Sequence, residues 1–381
     1  MPASIAHPPR GPLSLLRLLA SGARAGALRR LLDSHGDADA ALAAGARDWA
    51  SHGLDAGACH AIRHPDPAVM ARGERWLDAP NRQLIGWRDP DYPPLLRRIP
   101  GPPAVLFVAG DPGLLWRPAV AVVGSRAATA GGRANATAFA TALAGAGLCV
   151  ASGLAAGIDA AAHAATLDAG GATVAVLGTG PDIAYPSRHR ALLERIAGHG
   201  AVVSEHPPGT EPLRQFFPSR NRILAGLCLG TLVVEAAERS GALITARLAA
   251  EAGREVFALP GSIHNPMARG CHRLIRDGAS LVESPQEVLA VIGPLAADLA
   301  RALRGELGAP IHTTEPIPDP AILSDPDYNR LWQAMGHDPT GMDDLVERTG
   351  LTAAALSSML LALELEGRVA AEHGRYCRIG V

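Results

Sequence analysis

Residues 119–126 read AVAVVGSR, five apolar residues followed by Gly124, Ser125 and Arg126. An uncharged, valine-rich run that ends at a glycine predicts a buried strand. The alanine-rich stretch that follows, Gly132–Ala144, has the composition of a helix. Backbone N–H groups at such a turn, together with the positive end of the helix dipole, favour an anion, and Arg126 adds a cation. The dinucleotide-binding pattern G-x-G-x-x-G is absent.

The same alternation of strand and helix continues on the C-terminal side of this stretch. Helical patterns such as Ile158–Ala169 and Ile244–Ala252 separate the apolar runs. The predicted strands are Ala119–Val123, Leu148–Ser152, Thr173–Leu177, Ala201–Ser204, Thr231–Val234, Glu255–Ala258 and Ser280–Val282. Regular alternation predicts an α/β fold, a Rossmann-like, doubly wound, mostly parallel sheet. Sheets of this kind bind ligands at the carboxyl ends of their strands.

The flanking segments differ in pattern and predict further domains. Residues 1–80 carry leucines at helical spacing and predict a small helical domain of the SAM or helix-hairpin-helix kind. The Rossmann-like domain is predicted at 83–292, with one short strand, Ala104–Val108, in its proline-rich start. Residues 293–324 are rich in proline and alanine and predict a linker. Residues 325–381 predict a winged-helix-like domain with Thr352 as a helix cap.

Charge limits the kind of nucleic-acid contact that the chain can make. The formal net charge is −2, and no lysine is present, so all 35 basic residues are arginines. Residues 119–290 hold fourteen arginines against thirteen acidic residues, which excludes a broad basic groove. Residues 321–381 hold five arginines against nine acidic residues. We expect this acidic tail to repel duplex phosphates and to contact a protein or nothing.

Cysteine content and hydropathy indicate the class of protein. The five cysteines are scattered and form no C-x-x-C pair, which argues against a disulfide framework and against a structural zinc site. We expect free, mostly buried thiols, and neither a metal nor a cofactor. The apolar stretch Leu13–Ala20 is interrupted by Arg17 and flanked by prolines. A membrane span or a signal peptide is therefore disfavoured, and a cytoplasmic location is expected.

Three further turns at the expected ligand-binding edge combine glycine with serine, threonine or arginine. In chain order they contain Ser152, Gly153 and Gly157; Gly178 and Gly180; and Arg239, Ser240, Gly241 and Thr245. One such turn means little, but several along one edge predict an extended track for anions. Asp159 and His163 are spaced as an i, i+4 pair, which suits either an acid–base couple or a structural contact.

The most informative stretch, FFPSRNRILAG at 216–226, places arginines beside aromatic rings. Arg220 and Arg222 suit phosphates, Asn221 adds a polar amide, and an exposed Phe217 offers a surface on which a base can stack. We expect one ring of the pair Phe216–Phe217 to pack into the core. Aromatic residues make up only 4% of the chain, so stacking along many bases is not expected.

Taken in order, these motifs closely resemble those of the DprA (Smf) family over roughly residues 83–290. They are V-G-S-R, S-G-x-A-x-G-I-D-x-x-A-H, L-G-x-G-x-D-x-x-Y-P, S-E-x-P-x-G, F-P-x-R-N-R-I-x-A-G-L, V-x-E-A, S-G-x-L-I-T-A and P-G. The chain departs from the usual family residues at His189, Ala242 and Cys271, and it has Arg239 where lysine is usual.

The resemblance implies a cytoplasmic protein that binds single-stranded DNA during natural transformation. It also implies protection of that DNA, loading of RecA for recombination, and a homodimer formed through the Rossmann-like domain. The DNA contacts that it implies are the turn Gly124–Arg126 and the stretch Phe217–Arg222. No catalytic residue is expected.

Two alternatives remain open at this point. Gly230, Thr231 and Glu235 are faintly similar to the signature of Rossmann nucleotide hydrolases of the phosphoribohydrolase-like group, but the Pro-Gly-Gly is missing and the spacing is one residue longer. Base release that depends on Glu235 would favour this enzyme. A regulator that binds duplex DNA through residues 325–381 is disfavoured by the acidic charge of that segment.

Overall fold

The computed structural model describes residues 10–306 and parts of the remainder: 326–335, 340–352, 355–356, 359–360, 363, 369–372 and 375–378. The chain divides into two compact units, Met1–Glu306 and Leu307–Val381. Among the described residues, no helix is both long and apolar enough to cross a membrane. The cysteines described in full are free and buried, as expected: Cys59, Cys149, Cys228 and Cys271.

The first unit begins with six short helices, in agreement with the helical pattern of this segment. They are α1 (Arg10–Ala20), α2 (Ala25–His35), α3 (Ala38–Ala43), α4 (Ala46–Ser51), α5 (Ala56–Arg63) and α6 (Pro67–Leu77). Asp37, Asp55 and Asp66 cap α3, α5 and α6, because each carboxylate accepts a hydrogen bond from a backbone N–H of the first turn. The helices pack against the sheet, where the rings of Trp76 and Phe107 meet edge to face at 5.5 Å.

Within residues 10–306, nine strands form one sheet in the order β1-β2-β6-β5-β4-β3-β7-β8-β9. From β6 to β9 the neighbouring strands are parallel, while β1 and β2 add an antiparallel edge. The strands are β1 (Arg82–Gly86), β2 (Val105–Gly110), β3 (Ala119–Val123), β4 (Cys149–Ser152), β5 (Thr173–Leu177), β6 (Ala201–Ser204), β7 (Gly230–Val233), β8 (Glu255–Ala258) and β9 (Ser280–Leu281). The predicted doubly wound, mostly parallel sheet is confirmed.

Within residues 10–306, seven α-helices connect these strands, and an eighth follows the last strand and corrects a domain boundary. They are α7 (Pro94–Arg97), α8 (Ala130–Gly145), α9 (Ile158–Asp168), α10 (Arg190–His199), α11 (Phe216–Leu227), α12 (Gly241–Glu251), α13 (Arg269–Arg276) and α14 (Pro285–Glu306). Helix α14 continues through Pro294 into the predicted linker 293–324. Ala296 and Leu299 extend the apolar face that Val288 and Ile292 bury against the core, so the helix persists. Residues 307–324 of that linker lie outside the described residues.

The second unit contains α15 (Pro326–Met335), α16 (Met342–Thr349) and a small antiparallel sheet in the order β10-β12-β11. Its strands are β10 (Thr340–Gly341), β11 (Val369–Glu372) and β12 (Arg375–Arg378). The hydroxyl oxygen of Thr352 accepts a hydrogen bond from the N–H of Ala355 at 3.3 Å, as expected of a helix cap. Strands β11 and β12 pair antiparallel, with Val369 opposite Arg378 and Glu372 opposite Arg375.

The order of the strands determines where a ligand can bind. From β3 the chain moves outward through β4, β5 and β6, and then returns through α11 to β7 on the opposite side of β3. The loops that leave β3 and β7 therefore run in opposite directions from adjacent strands, and Val123 pairs with Val233 at this point. A crevice opens at such a switch point, beyond the carboxyl ends of the strands.

Candidate nucleic-acid interface

A cavity of 790 Å³ lies at this switch point. It brings together ten of the sixteen residues predicted from the sequence. These are Gly124, Ser125 and Arg126 after β3, Phe217, Arg220 and Asn221 on α11, and Arg239, Ser240, Gly241 and Thr245 around the start of α12. Two smaller cavities of 180 Å³ and 460 Å³ include Gly153 and Gly157, and both share Arg126 with the first.

Three exposed arginines give the main cavity its positive charge. Arg126, Arg214 and Arg239 line it, and within the described part of the chain no carboxylate lies within 4.0 Å of any of them. Arg188 is likewise exposed and lines both smaller cavities. A guanidinium without an internal partner presents its planar fork of N–H donors to a phosphate.

An aromatic surface lies beside these cations. The ring centroids of Phe217 and Tyr185 are 5.2 Å apart, with the rings tilted by 39°. The Cζ atom of Arg126 lies 5.6 Å from the centroid of the Phe217 ring. Tyr185 is 44% exposed, so this surface is open to a planar ligand. The neighbouring ring, Phe216, is half-buried and packs against His206 with centroids 4.1 Å apart.

The first turn of α12 forms one wall of the cavity. Ser240 caps the helix, because its hydroxyl oxygen accepts from the N–H of Ala242 at 3.3 Å. Gly241 has open space where a Cβ atom would lie, and the first turn of α12 contains no acidic residue. The positive end of the helix dipole therefore faces the cavity with no internal carboxylate against it.

The turn after β4 is arranged differently and corrects the prediction of an anion site there. The carboxylate of Asp159 accepts from the backbone N–H groups of Gly153 and Ala155, at 3.1 and 3.2 Å. Burial raises the pKa of Asp159, and the nearby guanidinium of Arg220 opposes that change. Ser152 is fully buried and donates to the Val122 carbonyl at 2.7 Å. An internal carboxylate thus holds the position expected for a phosphate.

Arg220 has a structural role that the sequence did not predict. It is only 5% exposed, and its Nη1 donates to the carbonyl oxygens of Gly153, at 2.8 Å, and of Val176. Its Nε donates to Asn221 Oδ1 at 3.2 Å. Burial lowers the pKa of Arg220 to about 10. The side chain ties two strand ends together at the floor of the cavity instead of extending toward a ligand.

Arg222 does not line the cavities described above. Its guanidinium forms a two-pronged ion pair with Glu205, with Nη2–Oε2 and Nη1–Oε1 distances of 2.6 and 3.2 Å. Arg220 and Arg222 are two residues apart on α11, and a helix turns by about 200° over two residues. The two side chains therefore lie on nearly opposite faces, so α11 cannot present both to one strand of DNA.

The remaining predicted glycines serve close packing. A Cβ atom at Gly178 would lie 3.2 Å from the Phe217 ring, and one at Gly180 would lie 2.7 Å from the Pro207 carbonyl oxygen. Gly157 has a φ of +81°, and a Cβ there would lie 2.2 Å from the Ser125 carbonyl oxygen. These positions need glycine because another backbone segment or ring lies against them.

The residues that would support a hydrolase are engaged elsewhere. Glu235 accepts from the N–H and the hydroxyl of Thr129, at 2.9 and 2.6 Å, at the start of α8. Thr173 donates its own proton to a backbone carbonyl, so His163 Nδ1 donates to Thr173 Oγ1 at 2.7 Å. Burial lowers the pKa of His163 to about 3, so the imidazole stays neutral. Asp159 and His163 therefore hold separate partners and form no acid–base couple.

Sequence reasoning missed three exposed side chains at these cavities. Tyr185 belongs to the Tyr-Pro motif, Arg188 follows it by three residues, and Arg214 precedes the aromatic pair by two. Their position beside recognised motifs was the sequence feature that could have identified them as candidate DNA-binding residues. Their joint position became evident only when the loops after β5 and β6 met α11.

Comparison with known proteins matches the chain to two family models. The model described as DNA recombination-mediator protein A matches residues 83–293. The model described as the DprA winged helix domain matches residues 314–375.

Individual proteins agree with these matches. Protein Smf of Escherichia coli (strain K12) is 42% identical over 305 residues, which cover 80% of this chain and 79% of that protein. DNA processing protein DprA of Streptococcus pneumoniae is 50% identical over 202 residues, which cover 53% of this chain and 71% of that protein.

Two solved structures share the fold. The X-ray structure of DNA processing protein A from Streptococcus pneumoniae has a TM-score of 0.66 at 39% identity, covering 73% of this chain and 96% of that one. DNA processing protein A from Helicobacter pylori, whose structure concerns its single-stranded DNA binding mode, has a TM-score of 0.51 at 27% identity, covering 57% and 97%. By these matches, the chain belongs to the DNA recombination-mediator protein A family, which includes the Smf and DprA proteins.

Proposed function

We propose that this protein binds single-stranded DNA in the cavity at the switch point of its sheet and does not alter the DNA chemically. The observation that carries the proposal is a group of three exposed arginines beside the adjacent rings of Phe217 and Tyr185. The arginines, which have no ion-pair partner among the described residues, are Arg126, Arg214 and Arg239. The arginines would bind phosphates and the rings would bind bases.

Few phosphate contacts are available, and this sets the expected salt dependence. The domain is close to neutral, so affinity must come from local arginines and the start of α12 instead of a broad field. Each phosphate neutralised on a single strand contributes roughly 0.7 to the logarithmic salt slope. Three arginines therefore predict a slope of about −2.

The aromatic surface gives the preference for single strands. A base can stack on Phe217 or Tyr185 only when it is not already stacked and paired inside a duplex. Stacking on an aromatic side chain contributes about 1–3 kcal/mol per base and tolerates any base. Binding should consequently favour single-stranded DNA and show little sequence selectivity.

The absence of catalysis is supported by where the candidate groups lie. Glu235 is held by Thr129, His163 is buried and neutral, and Asp159 is held by backbone N–H groups. Glu235 and His163 do not line the main cavity, and Asp159, which does, has its Oδ2 occupied by two backbone N–H groups. This arrangement supports a binding protein over a phosphoribohydrolase-like enzyme.

The wider role follows from the family. We infer that the protein acts in the cytoplasm during natural transformation, protects the incoming strand, loads RecA onto it and works as a homodimer through the Rossmann-like domain. The description of the family as a recombination mediator supports the role in recombination. The rate of ATP hydrolysis by RecA on single-stranded DNA, with and without this protein, tests the loading.

Fluorescence anisotropy with a labelled oligo-dT strand and a matched duplex tests the central proposal. We expect Arg126→Ala and Arg239→Ala each to weaken single-strand binding about tenfold, as a lost charged hydrogen bond does, and to flatten the salt slope by roughly 0.7. Phe217→Ala should weaken binding without changing the slope, because it removes stacking and not charge.

The matched control is Arg195→Ala, on α10, since Arg195 is exposed and pairs with Asp168. It should bind as the unmodified protein does. Unchanged affinity and slope in both cavity variants, or equal affinity for duplex and single strand, would place the binding site elsewhere.

A further inference from the structure

The N-terminal helices contain a cluster of metal-ligating side chains on elements that contribute no residue to the main cavity. His35 is the last residue of α2, Asp48 lies within α4, and His52 follows α4 one turn after Asp48. The spacing of the cysteines predicted no metal site, and these histidines were not part of that pattern. His35 is thirteen residues from Asp48, a separation that matches no metal-binding motif, and the fold brings the two side chains together.

One carboxylate oxygen is shared between the two imidazoles. His35 Nε2 donates to Asp48 Oδ2 at 2.7 Å. His52 Nδ1 lies 3.3 Å from the same oxygen and donates to the backbone carbonyl oxygen of Asp48 at 2.9 Å. The three ligand atoms all lie within 4.8 Å of one another. Bonds of about 2.0–2.2 Å from a tetrahedral ion place its ligand atoms roughly 3.4 Å apart. Small side-chain rotations are therefore enough to open this cluster around an ion.

The surroundings favour a cation. The side chains of His35, Asp48 and His52 are 22%, 34% and 19% exposed, so the cluster is sheltered but reachable from solvent. Within residues 10–306, no arginine lies within 4.0 Å of the Asp48 carboxylate. Arg30 is directed to the His52 carbonyl oxygen, at 2.9 Å, where it orients the backbone. Among the described residues, these two imidazoles are the only ionisable groups that pair with the carboxylate.

We propose that His35, Asp48 and His52 bind one divalent transition-metal ion of the zinc class. Two imidazole nitrogens and a carboxylate oxygen are ligands that Zn²⁺ accepts, and three protein ligands leave a fourth position for water. His35 Nε2 would present a lone pair where it now donates to Asp48 Oδ2, and His52 Nδ1 would present one where it now donates to the backbone carbonyl oxygen of Asp48. The ion would join the end of α2 to α4, and it would stabilise the helical segment by binding the folded state alone.

The test uses the full chain without an affinity tag, stripped of metal and then titrated with ZnCl₂. We expect one equivalent to bind and the melting temperature to rise with added zinc. The triple variant H35Q/D48N/H52Q should bind no zinc equivalent and should show no rise in melting temperature with added zinc. Two control variants should keep both the zinc equivalent and the rise: His199→Gln, at an exposed position on α10, and His60→Gln, whose ring packs against His64 within the helical segment.

Co²⁺ provides a second measurement that does not depend on the variants. Visible absorption typical of four-coordinate cobalt with nitrogen and oxygen ligands is expected. A thiolate charge-transfer band would assign the ion to a cysteine and overturn the proposal. So would zinc binding that is equal in the unmodified chain and the triple variant, or loss of the equivalent in His60→Gln. If the triple variant does not fold, the single variant His35→Gln replaces it. Binding of one zinc equivalent by the unmodified chain, with an affinity at least tenfold lower in His35→Gln, supports the site. Absence of such an equivalent overturns it.

Discussion

Two turns at the same edge of the sheet carry the same dipeptide, serine followed by glycine, and differ in what occupies them. After β4, Ser152 is fully buried and the N–H of Gly153 is held by the carboxylate of Asp159. After β7, Ser240 caps α12 and Gly241 borders open space beside the cavity. The first turn is filled by the protein itself, while the second is available to a ligand.

The composition of a turn therefore predicts its shape but not whether the protein itself or a ligand occupies it. Helix α9 carries Asp159 in its first turn, and the start of α8 receives Glu235 from a distant strand end. Helix α12 has no acidic residue in its first turn. Buried N–H groups need an internal acceptor, whereas N–H groups beside an open cavity can bind an anion from solution.

Removing the internal carboxylate from the turn after β4 should have the largest effect on stability. Asp159→Ala would leave the N–H groups of Gly153 and Ala155 without an acceptor and the buried Arg220 without its counter-charge. Loss of one partner from a buried charged network costs about 3–5 kcal/mol. We expect urea denaturation to show a loss of that size in the free energy of unfolding.

Two further variants serve as controls for this measurement of stability. Asp159→Asn keeps an acceptor oxygen and should lose less than Asp159→Ala. Asp168→Ala removes the exposed partner of Arg195 and should change stability by less than about 1 kcal/mol. If Asp159→Ala unfolds at the same urea concentration as the unmodified protein, the turn after β4 is not held by this carboxylate.

The substitution Gly241→Glu places a carboxylate at the turn after β7, as Asp159 does at the turn after β4. A carboxylate at the first position of α12 would compete with DNA phosphates for the helix start and repel them. We expect single-strand affinity to fall about 10- to 100-fold, or roughly 1.4–2.8 kcal/mol. Stability should hold or rise slightly, because an acidic residue in the first turn complements the helix dipole.

Gly241→Gln is the matched control, since it has the same size without the charge. It should keep most of the affinity measured by anisotropy. Equal losses in Gly241→Glu and Gly241→Gln would mean that bulk is what interferes at this turn. Unchanged binding in both would show that DNA does not approach the start of α12.

The fold could be predicted from the sequence because periodicity and alternation are local signals. Each strand predicted from Ala119 onward was found, since valine-rich runs between alanine-rich helices permit few other arrangements. The antiparallel strand β1 was missed, because its five residues stand beside a proline-rich stretch and are recognisable only by their pairing with β2.

The candidate site was predictable only in part, because the occupancy of each turn depends on tertiary contacts. The partner of Glu235 is Thr129, 106 residues away, and no local pattern indicates it. The different orientation of Arg222 could have been predicted from the sequence, because side chains two residues apart on a helix point in nearly opposite directions and Arg222 is two residues from Arg220. Arg214 and Tyr185 come from separate loops, so their place beside Phe217 required the fold.

Alanine at each glycine gives the smallest and most direct comparison of the two turns. A Cβ at Gly153 would lie 2.4 Å from the guanidinium of Arg220, which is held by two carbonyl oxygens and cannot easily move. We expect Gly153→Ala to cost about 1–3 kcal/mol, as overpacking does. At Gly241 no atom lies within 4 Å of the new Cβ, so Gly241→Ala should stabilise the protein by about 0.4–1 kcal/mol through the unfolded state.

Thermal and urea unfolding of the two variants measure this difference directly. The sign should be opposite at the two positions even though the substitution is identical. Gly241→Ala should also keep its affinity for single-stranded DNA, because a methyl group adds no charge at the start of α12. If both variants lose the same free energy of unfolding, the turn after β7 is as closely packed as the turn after β4. The proposal that the turn after β7 is open to a ligand would then be wrong.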